Sequence, residues 1–424
     1  MNCTRTELEN QRIERITRAH VVIGIDIAKE KHAAQITDYR GRVLTDRALS
    51  FPNTAGGFEA LLRWIQEVLD QHKKRKVLVG MEPTGHYWHN LANWLLDVGI
   101  EVVLVNPVTT HRNKENRDNS PSKNDPKDAL VIADVVTRGY YTEYTPHQPE
   151  FEHLKRIISE REFWVNHQSG LRNRIVRWLD MYFPEFTQVF KEWDGTRALA
   201  TLHAFPLPSD VMQMDAEAIV QGWVAQGMKR AGGVSGKTKA SSLLHAAARS
   251  IGKAAIGTEA HQEIRRLLEG YADVQERLGA IEQEFEGLLV TIPLTEPLRS
   301  VGLGSVTIAY ILGCAGDLRY YAHGQQLLRR AGLNLTERTS GKHKGQIKLS
   351  KRGDSTLRKV LFLAVLQLVR HQPDFKLWHA RYVQRGMGKM QSILKLMGKL
   401  ARILIGMVQR GETYRSPEQA TLAA

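Results

Sequence analysis

Short apolar runs alternate with amphipathic helical stretches over the first 140 residues. Two strands joined by a polar turn at Lys29 to Lys31 are predicted by "HVVIGIDIA" and "HAAQITDYRG", and a third strand by "RVLTDRALSF". A helical pattern over 58–69 follows, and then come strand, helix and strand patterns in "KVLVGMEP", "HYWHNLANWLLDVG" and "EVVLVNP". Three strands followed by helix, strand, helix, strand and helix is the order of a ribonuclease-H-like α/β domain.

Four acidic residues lie within or next to the predicted strands and at the start of a predicted helix. Asp26 lies inside the first strand between two isoleucines, where a carboxylate is costly unless it is paired or bound to a metal. Glu82 closes the fourth strand, and Asp125 and Asp128 open the helix "NDPKDALVIAD" on one face. The first and fourth strands are neighbours in a ribonuclease-H-like sheet and the last helix packs across them. We therefore expect the four carboxylates to converge.

Helix capping is the alternative explanation for one of these acids. Asn124 or Asp125 can accept a hydrogen bond from the free amides of the first turn, and Pro126 suits the first helical position. Capping leaves Asp128 unexplained. Four neighbouring carboxylates cannot all stay ionised without cations, and Mg²⁺ prefers carboxylate oxygens with positions left open for water and phosphate. The four acids therefore predict a site for one or two Mg²⁺ ions that serves phosphodiester cleavage.

Two long segments carry heptad patterns. Over 262–290, apolar residues alternate three and four apart, and 150–182 follows the same register with Arg161 and Gln168 at two seam positions. The pattern predicts two coiled-coil helices that pair within one chain or between two protomers. The seam of the second segment consists of Ile264, Leu267, Tyr271, Val274, Leu278, Ile281, Phe285 and Leu288.

The region between the helices, Phe183 to His261, contains many small residues. Its segment "RAGGVSGKTKASS" is predicted to be a flexible loop. The letters "GGVSGKT" do not predict a phosphate-binding loop, because the glycines are wrongly spaced for GxxxxGK[ST] and no strand precedes them.

Composition narrows the class of protein. A chain of 424 residues is long enough for two or three cores, and its two cysteines, Cys3 and Cys314, exclude a disulfide framework and a cysteine-rich zinc module. The first 20 residues are too charged for a signal peptide, and no apolar run approaches the roughly 20 residues of a membrane span. These features predict a soluble cytosolic protein.

The excess positive charge is confined to the last third. The net charge is +14, and 291–424 contains 22 Lys and Arg against 7 Asp and Glu, while 1–290 contains 37 against 38. Such asymmetry favours a polyanion-binding domain over a merely solvated basic surface.

Two motifs lie in this basic region. In "SVGLGSVTIAYILG", Gly302 and Gly304 are typical of a helix-hairpin-helix turn whose amides approach a DNA phosphate, although an ordinary helix boundary is an equal alternative. In "TSG", Ser340 fits a turn residue and carries little other local signal. Cations predicted to contact nucleic acid follow it, namely Lys342, Lys344, Lys348, Lys351, Arg352, Arg358 and Lys359.

The motifs in their order resemble a known family. "GIDIAKEKHAA", "MEPTGHYW", "VNP", "KNDPKDALVIAD", the GxG hairpin, "AGLN" and "TSGKHKGQIKLSKRGDSTLRKVL" are similar to the DEDD transposases of the IS110 insertion-sequence family, the bridge-RNA-guided recombinases. The resemblance covers 20–182 and 291–370. It implies a RuvC-like domain in which Asp26, Glu82, Asp125 and Asp128 bind Mg²⁺, and a transposase domain in which Ser340 is the nucleophile.

The resemblance also implies an organisation and partners. We expect an N-terminal extension (1–19), a RuvC-like α/β domain (20–145), coiled-coil helices (146–290) with an inserted region (about 183–261), and a mainly helical basic transposase domain (291–424). The expected partners are target DNA, donor DNA, an element-encoded bridge RNA and further copies of the chain in a dimer or tetramer, with no membrane, in the bacterial cytosol. Two other hypotheses stay open: a RuvC-like junction resolvase that uses metal-bound water, and a non-catalytic nucleic-acid-binding protein.

Overall fold

The protein is described by a computed structural model. It describes residues 5–116, 124–145, 148–254, 258–336, 345 and 347–416. They form two compact units, Met1–Pro146 and His147–Ala424, while the finer division into four parts stays a prediction. No helix in the described ranges is both long enough and apolar enough to cross a membrane.

The first unit is built on a six-stranded sheet with the order β3-β2-β1-β4-β5-β6. The strands β1, β2 and β3 form an antiparallel meander, β4 and β5 run parallel to β1, and β6 is antiparallel to β5. This is the strand order and direction of a RuvC-like, ribonuclease-H-like sheet, and it confirms the predicted α/β fold. The strands are β1 His20–Asp26, β2 Lys31–Asp38, β3 Leu49–Pro52, β4 Lys76–Met81, β5 Glu101–Leu104 and β6 Thr142–Glu143.

Helices cover both faces of this sheet, because the buried strands carry apolar side chains on both sides. On one face Ile23 and Met81 pack with the second and third helices, and on the other Val22 and Leu78 pack with the fifth. The helices of this unit are α1 Arg5–Arg15, α2 Ala55–Gln71, α3 Trp88–Asp97, α4 Pro107–Asn113 and α5 Asp125–Thr137.

Two strand predictions were too long. The third strand does not run from Arg42 to Phe51: Val43 makes only an isolated bridge to Thr37, and the strand begins at Leu49, because the polar segment 45–47 bends and interrupts the apolar alternation. The fifth strand ends at Leu104 rather than continuing through "VNP". Asn106 instead caps α4, because its side-chain oxygen accepts a hydrogen bond from the amide of Val108 at 2.9 Å.

Two strand glycines let α5 pack unusually close to the sheet. A Cβ atom on Gly24 of β1 would lie 2.0 Å from the carbonyl oxygen of Ala129, and one on Gly80 of β4 would lie 2.4 Å from a methyl carbon of Val136. Both contacts are too short for any side chain. The two glycines therefore fix α5 against the neighbouring strands β1 and β4, with its first turn towards their carboxyl ends.

The second unit is mainly helical. Its two short strands form a separate hairpin, and a 3₁₀ turn spans Leu318–Tyr320. Its elements are α6 Pro149–Tyr182, α7 Phe186–Val189, α8 Thr196–Ala204, α9 Pro208–Met212, α10 Ala216–Ala225, α11 Gly233–Ala248, α12 Glu259–Thr291, α13 Thr295–Ser300, α14 Ser305–Ala315, α15 Gly324–Arg330, β7 Leu335–Thr336, β8 Lys348–Leu349, α16 Ser355–His371, α17 Pro373–Gln384 and α18 Lys389–Arg410.

The two predicted long helices are confirmed as α6 and α12. They pack against each other within one chain, and the α12 seam is buried except for its last residue, Leu288, which is half-buried. The polar seam residue Arg161 donates to Glu282 at 2.9 Å and to the hydroxyl of Tyr310 at 3.3 Å, which fixes the register of the pair. Pairing between protomers stays a prediction.

The prediction of a flexible loop over 230–242 was wrong. Most of it forms α11, in which Ala240, Leu243 and Ala247 recur at helical spacing and are buried. Small residues here serve close helix packing: a Cβ atom on Gly236 would lie 1.9 Å from the carbonyl oxygen of Ala231. The region between α6 and α12 is thus a helical bundle with its own core, to which both long helices contribute one end.

A seam variant tests the packing of α12. Ile281 is buried in the core at the C-terminal end of this helix, so Ile281→Lys places an ammonium group among apolar side chains. We expect the free energy of unfolding to fall by about 3 kcal/mol or more. Gln283→Lys, on the exposed side of the same helix, should unfold like the wild type in urea. Equal urea midpoints for the two variants would contradict the buried seam.

Candidate active site

The register of β1 and β4 places the first two acids side by side. Ile25 is paired with Met81, and Asp26 and Glu82 follow them at the carboxyl ends of two parallel strands. Side chains alternate along a strand, so Asp26 shares the α5 side of the sheet with Gly24. The Glu82 carboxylate accepts a hydrogen bond from the hydroxyl of Thr84 at 2.9 Å.

The first turn of α5 supplies the other two acids. Asn124 is the N-cap, since its side-chain oxygen accepts a hydrogen bond from the Lys127 amide at 2.8 Å. Capping therefore does not require Asp125, which is exposed, and Pro126 occupies the first turn as predicted. Asp128 is buried, with 7% of its surface exposed.

The electrostatics of Asp26 show that these four acids share one neighbourhood. Burial, and then the charges of Asp128, Asp125 and Glu82 in that order, together raise the pKa of Asp26 to about 6. A carboxyl group near three other carboxylates resists ionisation. The four acids therefore interact electrostatically in the folded unit, while a metal site shared by all four stays a prediction.

A lysine that the sequence did not single out neutralises part of this charge. The ammonium group of Lys114, at the C-terminal end of α4, lies 2.9 Å from Asp128 Oδ1 and donates a hydrogen bond to Oδ2 at 3.0 Å. It also opposes the rise in the pKa of Asp26. Lys114 lies in a stretch with many charged residues and no recognisable motif, so the sequence carried no signal for its role.

The donor set fits a hard divalent cation. Four carboxylates supply only oxygen ligands, which suit Mg²⁺ better than zinc or copper. Over the described ranges, no three Asp, Glu, His or Cys side chains stand together at metal-ligand distances. Asp128 Oδ1 is buried and has no aligned hydrogen-bond donor among the described residues, so it retains a lone pair that a cation would use.

The residues of the second unit that were predicted to contact nucleic acid fall into three groups: those outside the described ranges, those that form hydrogen bonds within the chain, and those that are exposed. Ser340, Lys342 and Lys344 lie outside the described residues. Two other cations are engaged within the chain: Arg358 donates to the carbonyl of Ala331 at 2.9 Å, and Lys359 donates to Glu162 at 3.0 Å. The more exposed cations of the hairpin region are Lys348, Lys351 and Arg352.

The predicted glycine turn is present. Gly302 has a φ of +97°, which favours glycine, and Gly304 is the N-cap residue of α14 after the short helix α13. A compact turn between two helices is therefore confirmed. A contact between its amides and a DNA phosphate stays a prediction.

A RuvC-like sheet with acids at the ends of β1 and β4 and at the start of α5 defines a class of DNA-processing enzymes. A DEDD transposase family model of the IS110 type matches residues 23–184, and a model described as the transposase IS116/IS110/IS902 family matches residues 298–380. Together the matches cover more than half of the sequence. The chain belongs to the IS110 family of transposases, which are DNA-recombining enzymes.

Individual relatives are distant in sequence. The pilin gene-inverting protein of Moraxella bovis is 23% identical over 92% of this chain and 97% of its own length. The mini-circle putative transposase for IS117 of Streptomyces coelicolor is 25% identical over 50% of this chain and 51% of its own. The structure of T. thermophilus RuvC in complex with a Holliday junction substrate aligns with a TM-score of 0.22 and 16% identity over 30% of this chain and 99% of that chain.

Proposed function

We propose that this transposase cuts and rejoins DNA strands with Asp26, Glu82, Asp125 and Asp128 as ligands of one or two Mg²⁺ ions and Ser340 as the nucleophile. The observation that carries the proposal is the acidic cluster itself. Burial and then the charges of three other carboxylates raise the pKa of Asp26 to about 6, and a divalent cation would relieve this repulsion.

The four acids have different roles in this proposal. Asp128 is buried and fixed by α5, and Asp26 is half-buried at the end of β1; both would hold the cation in place. Glu82 is half-buried as well, and the exposed Asp125 would face the DNA side of the site. These carboxylates would hold Mg²⁺, which when bound would supply the positive charge that polarises the scissile phosphate and stabilises the leaving oxygen.

Ser340 would make the reaction reversible without ATP. Its oxygen forms a bond to phosphorus while the bond to the 3′ oxygen breaks, and the 3′ oxygen leaves as a hydroxyl group. The phosphoserine conserves the phosphodiester energy until a 3′ hydroxyl from another strand attacks it. Lys348, Lys351 and Arg352 are the cations placed by sequence to hold the phosphate, whereas Arg358 and Lys359 are engaged within the chain.

The partners follow from the same proposal. Strand exchange needs a target duplex, a donor duplex and an oligomer to hold both, and the family resemblance adds a bridge RNA that selects the two DNAs. The Moraxella bovis relative is named for gene inversion, which requires strands to be cut and rejoined. This likeness along most of both chains supports recombination rather than simple cleavage.

One experiment separates the three hypotheses. The protein is incubated with the element RNA, cognate DNA and Mg²⁺, and the products are separated on a denaturing gel. The proposal expects a protein–DNA adduct. Free cleaved ends without an adduct would indicate a resolvase that uses water, and intact DNA would indicate a binding protein.

A Lys114 variant tests whether Asp128 exchanges its lysine for a cation. Lys114→Gln removes a positive charge that competes with Mg²⁺ for Asp128, so we expect the dissociation constant for Mg²⁺, measured by calorimetry, to fall by about three- to tenfold. Lys31→Gln, at an exposed position at the start of β2, is the control and should not change it. Weaker Mg²⁺ binding by Lys114→Gln would mean that Lys114 positions Asp128 and does not compete.

A further inference from the structure

The last two helices carry a concentrated positive charge. Residues 373–410 contain eight Lys and Arg and one acid, Asp374. One side of α18 is buried in the core through Leu396, Leu400 and Leu404, which leaves its cations on the opposite side. Asp374 accepts a hydrogen bond from the hydroxyl of Tyr414 at 2.8 Å, so that carboxylate is already engaged.

Two of these cations are stacked on aromatic rings in a regular arrangement. The ammonium nitrogen of Lys399 lies 3.2 Å from the ring centroid of Trp378, and that of Lys395 lies 4.5 Å from the ring centroid of Tyr382. Trp378 and Tyr382 are four residues apart on α17, and Lys395 and Lys399 are four apart on α18. The two lysine–ring contacts therefore lie one helical turn apart, at a spacing of about 6 Å. We call these four residues the lysine ladder.

The ladder is crowded with like charge. Burial and then the charge of Arg402 lower the pKa of Lys399; the charge of Asp374 opposes this shift, and that of Arg381 adds to it. Among the residues that the structure describes, no ion pair joins a carboxylate to Lys395, Lys399, Arg381 or Arg402. A bound polyanion would relieve this repulsion.

The stacking of the two lysines on the rings favours a duplex over single-stranded nucleic acid as the bound polyanion. Proteins that hold single strands stack bases on exposed aromatic rings, but in the ladder the lysines already cover a face of each ring. The lysine ladder instead presents cations whose side chains are already restricted by stacking on the rings. Such side chains lose little conformational entropy when they contact phosphate. Phosphate contacts of this kind position a duplex without reading its sequence.

We propose that the lysine ladder, with Arg381 and Arg402, binds the phosphate backbone of duplex DNA. The site lies outside the predicted metal ligands and outside the basic stretch around Ser340. It rests on the proposed function only in that the enzyme handles DNA duplexes. It adds a sequence-independent contact that holds a duplex on α17 and α18.

The test measures binding of a noncognate 30-base-pair DNA duplex to the full chain by fluorescence anisotropy over a series of KCl concentrations, a length of about three helical turns. For the double variant Lys395→Gln/Lys399→Gln, we expect the slope of log affinity against log salt to become shallower by about 2, the loss of two phosphate contacts. The control Arg370→Gln/Lys376→Gln removes two exposed cations, one from α16 and one from α17, and should keep the wild-type slope.

Further arms identify the occupant. Trp378→Leu removes a ring but no charge and should weaken duplex binding relative to the wild type. Tyr382→Leu is the second variant, with the same expected result, should Trp378→Leu fold poorly. An unchanged slope in the lysine variant overturns the proposal, as does a greater loss for single-stranded RNA than for duplex DNA. Wild-type protein that binds no duplex at all also overturns the ladder, whereas the proposed function fails only if no protein–DNA adduct forms with the element RNA and cognate DNA.

Discussion

Ser340→Ala is expected to abolish the protein–DNA adduct and recombination together, with a loss of at least about 10⁴-fold in rate. The substitution removes one oxygen atom, so binding of RNA and DNA should stay near the wild-type level. Without that oxygen no phosphoserine forms, and a cut strand that is not covalently linked to the protein cannot be rejoined. The measurement is a denaturing gel for adducts alongside an assay for joined product.

Two neighbouring serines are the controls for this variant. Ser350 accepts a hydrogen bond from the amide of Arg352 at 3.2 Å, and Ser355 opens α16, so both have local structural roles. Their alanine variants should retain the adduct and weaken binding at most. Adducts in Ser340→Ala would assign the nucleophile to another residue, and free cleaved ends at the normal rate would favour the resolvase hypothesis.

The sequence predicted the sheet and the acidic cluster because both depend on strong local patterns. The strands β1 and β4 are largely apolar; β1 ends at Asp26, and Glu82 directly follows β4, at the edge where the carboxyl ends of the two parallel strands meet. The long helices α6 and α12 were also predictable, because a heptad pattern repeated over about 30 residues is compatible with few structures other than a long helix.

What the sequence missed depended on contacts between distant elements. Nothing local marks Lys114 as the partner of Asp128, since the pair forms only when α4 and α5 pack side by side. The segment 230–242 has glycines that resemble a loop, but burial of Leu243 and its neighbours stabilises a helix there. Lys359 looked like a free cation, and folding brings it to Glu162 of α6. Tertiary packing overrode the local signal in each case.

Asp26→Asn is expected to abolish strand cleavage and to stabilise the metal-free protein at the same time. The folded-state pKa of about 6 exceeds the ordinary value of 3.8, so the folded protein binds more protons between these values, and its stability falls as pH rises from about 4 to about 6. The difference amounts to at most about 3 kcal/mol, reduced because the carboxyl group is partly exposed. Asparagine carries no charge and should remove this pH dependence.

Mg²⁺ should reverse the order of stability of the two proteins. Above pH 6 without metal, we expect Asp26→Asn to have the higher Tm in differential scanning calorimetry, and with Mg²⁺ the wild type should gain stability that the variant does not. Asp97→Asn, at an exposed position at the end of α3, should respond to Mg²⁺ and cleave DNA as the wild type does. A wild-type Tm that is indifferent to Mg²⁺, or cleavage by Asp26→Asn at the wild-type rate, would exclude Asp26 as a metal ligand, because a cation bound by Asp26 in the folded state must stabilise that state.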